Sequence, residues 1–140
     1  MKMYQCALVL LALVSPVVNA EIAVVVNPSV NVGNAVSQDI IQRIFLGKTS
    51  RFESGTSSSP INQNDTNPIR EEFITKVLGK TQGEYRAYWA RLIFTGKGRP
   101  PDELDNDAAV KQRVASDPGV VGYINANAVD DSVKVIFTIK

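Results

Sequence analysis

Residues 22–26 read Ile-Ala-Val-Val-Val, an unbroken apolar and mostly β-branched run that stops at Asn27-Pro28. A strand that alternates apolar with polar residues can leave one face in water. This run cannot, and it needs cover on both faces. A parallel or mixed sheet with helices packed on its sides supplies that cover, so an α/β fold is predicted.

The rest of the chain supplies the helices. Ser37 can cap a helix whose Ile40, Ile41, Ile44 and Phe45 share one face and whose stop is Gly47. Residues 48–60 are rich in Ser and Gly and read as an exposed, mobile loop, with a short strand at Ile61-Asn62. A second helix has Asn67 as N-cap and Pro68 at its first position. Ile69, Phe73, Ile74, Val77 and Leu78 form its buried face, and Gly79 ends it. Thr81 and Glu84 form a capping box for a third helix, with Tyr85, Tyr88, Trp89, Leu92 and Ile93 facing inward. The run Gly-Lys-Gly-Arg-Pro-Pro at 96–101 breaks it. A fourth helix starts near Asp105 and runs through Val110 and Val114 to Ser116. Two apolar strands, 120–124 and 133–139, close a single domain of order β-α-β-α-α-α-β-β.

Residues 1–20 read as a signal peptide. Lys2 is a short positive lead, residues 6–14 are continuously apolar, and Val18-Asn19-Ala20 offers small residues for cleavage. The apolar stretch is shorter than the roughly 20 residues that a membrane span needs. Cleavage after Ala20 removes Cys6, the one cysteine. It also takes Lys2 from the 15 basic residues, which balances the remainder against the 14 acidic ones. The expected product is a periplasmic domain of residues 21–140 with neutral net charge and no disulfide.

The chain has no histidine, which removes Ser-His-Asp and Cys-His catalysis and imidazole ligation together. No enzymatic activity and no cofactor are expected. A formal charge of +1 gives no basic stripe for nucleic acid. Asp102, Glu103, Asp105 and Asp107 cluster as helix-start acids complementing a macrodipole, and their spacing is not that of a calcium loop. Lys97 and Arg99 read as a solvated basic loop; Tyr85, Tyr88 and Trp89 at helical spacing read as core. The segment Gln63-Asn-Asp-Thr-Asn-Pro-Ile-Arg70 places amide, hydroxyl and guanidinium groups at a helix start, where free N–H groups favour negative charge. The same residues also serve a simple structural role, with Asn67 capping its helix and Arg70 pairing with a Glu.

Taken in order, IAVVVNP, IQRIFLGKTSRFESG, NPIREEF, YWARLIFTGKGRPP and DPGVVGYIN resemble the phosphate-type periplasmic substrate-binding proteins, the binding components of phosphate ABC transporters. The resemblance runs over nearly all of residues 22–139. It implies a type II periplasmic-binding-protein-like fold: a single lobe, similar to the family's second, with a mixed sheet flanked by helices. It also implies a phosphate-like anion held at the Asn67 helix start, with Gln63, Thr66, Asn67, Ile69 and Arg70 as candidate ligand-binding residues. Where the family carries Arg-x-x-x-Ser-Gly-Thr, this chain has Gln63 and then Asn67-Pro68-Ile69. Weak anion binding is therefore expected, since charge-assisted bonds are about twice as strong as neutral ones. Implied partners are a second copy or another lobe to close the site, and the membrane component of an ABC transporter. The alternative function is a periplasmic protein-interaction module that kept the lobe and lost the ligand site.

Overall fold

A computed structural model describes residues 21–140. The signal-peptide reading concerns residues 1–20 and lies outside them.

Strand β1 (Ile22–Val26) is fully buried along its length, as its composition requires. It lies between β4 (Val120–Asn125) and β5 (Lys134–Ile139) and is antiparallel to both. Beyond β4, β2 (Ser59–Gln63) and then β3 (Asp102–Leu104) continue the sheet in parallel, giving the order β3-β2-β4-β1-β5. Alternate residues of β1 feed two cores. Ile22, Val24 and Val26 pack under the helices α1 (Gln38–Phe45) and α3 (Gln82–Phe94), together with Phe73, Ile74 and Val77. Ala23 and Val25 meet Val110 and Val114 of α4 (Asp107–Ser116) on the opposite face. The mixed α/β sheet expected from the sequence is thus present, and β1 is covered on both sides.

The first core is aromatic at its centre. Phe73 stacks on Tyr123 with ring centroids 3.9 Å apart, and Phe45 meets the Phe73 ring edge-on at 4.7 Å. The second core depends on close approach. A Cβ on Gly122 would lie 2.6 Å from Val110 Cγ1, so only glycine lets α4 sit this near β4.

Several local readings hold. Ser37 Oγ accepts from the Ile40 N–H, Gly47 takes a positive φ after α1, and the Thr81–Glu84 capping box has both of its hydrogen bonds. Others need correction. The second helix is α-helical only from Pro68 to Glu72 (α2); Phe73–Val77 is a π-helical turn, with Leu78 N–H donating to Phe73 O. Its terminal carbonyls are met from α1, where Gln38 and Gln42 both donate to Val77 O. The loop at 48–60 is anchored: Phe52 is buried in the core, and Ser54 and Thr56 hydroxyls both donate to Asn31 O. Ile93 is 55% exposed and Phe94 is 92% exposed, because α3 extends past the core it covers. Asp102 and Glu103 lie in strand β3, while α4 starts at Asp107 behind Asn106, whose side chain accepts from Ala109 N–H.

Candidate functional site

Parallel strands β2 and β4 end side by side at Gln63 and Asn125. The chain leaves β2 through a short turn into α2, while α4 begins beside it. The carboxyl ends of parallel strands are where α/β sheets commonly hold ligands. Here they open into a cleft of about 490 Å³, lined by Gln63, Asn67, Ile69, Glu72, Asp107 and Asn125 among others.

Gln63 is the hub of this cleft, with 1% of its surface exposed. Its Nε2 donates to Asp107 Oδ1 at 2.7 Å and to Tyr123 O at 2.9 Å. Asp107 also accepts from the Asn125 side chain at 2.8 Å. Asn67 occupies the N-cap position without capping. Its Nδ2 instead donates to Asp105 O at 2.6 Å and Gln63 Oε1 at 3.3 Å. Pro68 has no N–H, and Arg70 N–H already donates to Asn67 O, which leaves Ile69 as the open donor of the helix start. The charged residues lining the cleft are the carboxylates Glu72 and Asp107, with no Lys or Arg.

The five candidate residues therefore separate. Gln63, Asn67 and Ile69 line the cleft; Thr66 is exposed in the preceding turn, its hydroxyl 3.4 Å from Asn64 Oδ1. Arg70 lines a different cavity. Its guanidinium donates from Nη1 to Glu103 Oε1 at 2.5 Å and to Gln63 O at 3.1 Å, and lies over the Tyr85 ring. The pairing of Arg70 with a Glu, expected as its structural role, is present.

Behind Gln63, a buried chain of polar groups crosses the core. Asn62 Nδ2 donates to the Tyr85 hydroxyl at 3.0 Å, Tyr123 Oη–H donates to Asn62 Oδ1, and the Gln63 N–H donates back to Tyr123 Oη at 3.2 Å. Burial pushes both phenol groups above their ordinary pKa, and the nearby Arg70 charge only partly opposes this for Tyr85. Sequence patterning missed Asn62 and Asn125 as site residues, and it read Glu103 and Asp107 only as helix-start acids. Asp107, Asn125 and Glu103 are brought to their partners from far along the chain, and no spacing signals those pairings. Among the described residues, no three His, Cys, Asp or Glu side chains gather as a metal site.

No protein-family model matches the chain. Solved structures do. An ABC-type phosphate transport receptor from Vibrio cholerae superposes with a TM-score of 0.64 at 20% identity, over 84% of this chain and 46% of that one. The fold is one lobe of the phosphate substrate-binding-protein type. A putative phosphate ABC transporter substrate-binding protein from Clostridium perfringens, solved with bound phosphate, gives 0.60 at 18% identity, over 84% and 45%. PstS from Borrelia burgdorferi gives 0.60 at 12% identity, over 84% and 47%. The chain spans a little under half the length of these structures.

Proposed function

We propose that this protein is an exported, non-enzymatic substrate-binding lobe that contributes one wall of a solute cleft at the start of α2. The cleft between the ends of β2 and β4 carries this reading, since the fold is shared with proteins described as phosphate-binding and ligands favour this end of a parallel sheet. The solute is a small oxyanion such as phosphate, held weakly. One open helix-start N–H, no cation and two facing carboxylates give little to replace the water around a dianion. An ion in a site still open to water gains at most about 1 kcal/mol from each pairing. The expected Kd is no tighter than about 1 mM, close to −4 kcal/mol. A second copy, a partner lobe or a transporter's membrane component would supply the opposite wall in the periplasm. The test is a phosphate titration followed by amide chemical shifts. Millimolar, saturable shifts at Ile69 and Asn125 support the reading, and shifts confined to other residues contradict it.

A second reading is favoured by the charge of the same cleft and by the exposed side chains Ile93 and Phe94 at the end of α3, outside the cleft. In it, the lobe is a protein-interaction module that has lost its ligand. Absence of any phosphate response, with self-association or partner binding lost on Phe94→Ser, would select it.

A further inference from the structure

A surface helix ordinarily keeps one polar face for water, and α3 does not. Its inner side carries the buried Tyr85 and Trp89. Its outer side carries Gly83, Ala87, Ala90 and Phe94, spaced four, three and four residues apart and all exposed. Phe94 is the most exposed large apolar side chain among the described residues. Nothing in the monomer calls for Gly83. Its φ is not positive, and a Cβ there would meet nothing nearer than Thr81 Oγ1 at 3.9 Å. Glycine is a poor helix former, so alanine would serve the isolated helix better.

The charges beside this face select its partner. Glu84 and Arg91 are seven residues apart, about two helical turns, and so share one flank of it. Glu84 uses only Oε1 in the Thr81 cap, and Arg91 has no salt bridge among the described residues. Turned antiparallel about a two-fold axis, a second α3 sets that flank against itself in reverse. In a register centred between Tyr88 and Trp89, each Arg91 lies within about 3 Å, along the axis, of the other copy's Glu84. A parallel pair would instead oppose Arg91 to Arg91 and Glu84 to Glu84. The same antiparallel register lays Phe94 over Gly83 and Ala87 against Ala90. The largest exposed ring meets the residue with no side chain, and the alanines let the two axes approach closely.

We propose that the outer face of α3 is a self-recognition surface, on which a second copy of this chain docks its own α3 antiparallel and in this register. The exposed face of a 13-residue helix is about 20 Å long, less than a standard interface needs, so the dimer is weak and reversible. None of these residues lines the cleft at α2, and the proposal does not depend on what the cleft binds.

Sedimentation velocity of the purified protein, followed up to about 1 mM, reads the dimer. The wild type should pass from monomer to dimer, with Kd raised about ten-fold or more in Ala90→Lys and in Phe94→Ser, both at positions exposed in the monomer. Gly83→Leu should weaken the dimer as much, yet melt no lower than wild type at a dilution where both are monomers. Oxidation in a Cys6→Ser background reads the orientation. Ala87→Cys and Ala90→Cys proteins, mixed, should cross-link to each other faster than either does to itself. A wild type that stays monomeric throughout would overturn the proposal and leave the face to a different protein. Dimers indifferent to Ala90→Lys and Phe94→Ser would overturn it by placing the contact elsewhere. Faster cross-linking of Ala87→Cys to itself would overturn the antiparallel register. A lower melting temperature for Gly83→Leu would return Gly83 to the monomer's own fold and overturn the register built on it.

Discussion

Gln63 and Asp107, 44 residues apart, are joined by a 2.7 Å hydrogen bond that ties the end of β2 to the start of α4. The bond holds the floor of the cleft and occupies the amide of one of the candidate ligand-binding residues. Replacing Gln63 with Leu keeps the volume but removes the donor shared by Asp107 and Tyr123 O. The expected loss is about 1–3 kcal/mol, the cost of leaving a buried polar group unsatisfied. Urea unfolding of Gln63→Leu measures it, and an unchanged midpoint would show that Asp107 is adequately served by Asn125.

Gly122 is a packing requirement. Gly122→Ala should cost about 1–3 kcal/mol through overpacking against Val110. The double variant with Val110→Ala should show a favourable coupling, because the second change removes the atom that the new methyl strikes. Additive losses would place the strain elsewhere.

Stability should fall at alkaline pH for an identifiable reason. Tyr85 and Tyr123 are buried, and burial raises both phenols above the ordinary value of 10.0. A raised folded-state pKa means that the fold favours the protonated form. That contribution is complete below pH 10 and is lost as pH climbs through the folded-state values. Denaturant midpoints taken at rising pH should hold up to about 10 and then decline. Tyrosinate absorbance should lag behind that of a free phenol until the protein unfolds.

How far these features could be read from residues alone depends on how local they are. The β1 run and the Thr81–Glu84 box declare themselves within a few residues, and both are present. Strand β3 does not: Asp102-Glu103-Leu104 has no apolar alternation, and its extended state comes from pairing with β2, where Ile61 faces Asp102. Asn67 has the composition of a cap, yet the Asp105 carbonyl captures its amide from across the cleft. Helical spacing places Ile93 on the inner face of α3 but says nothing of how far the underlying core extends. In the candidate site, the helix start and Gln63 were legible. The carboxylates facing them, and the turn of Arg70 into another cavity, follow from tertiary contacts.

Export makes a separate prediction. The protein recovered from the periplasm should begin at Glu21, as the Val18-Asn19-Ala20 site implies. Intact mass decides this, and a chain retaining residues 1–20 would contradict it.

Phosphate binding to wild type and Glu72→Gln, measured side by side by calorimetry, tests the central claim most directly. Glu72 lines the cleft, and its Oε2 makes no hydrogen bond and lies 4.0 Å from Lys76 Nζ, so the substitution removes a like charge from the cleft wall at the cost of one weak ion pair. At about 1 kcal/mol for two charges some 4 Å apart in water, affinity should rise about five-fold from a wild-type Kd no tighter than about 1 mM. Micromolar binding by the wild type, or the same weak binding in both proteins, would contradict an open half-cleft at α2.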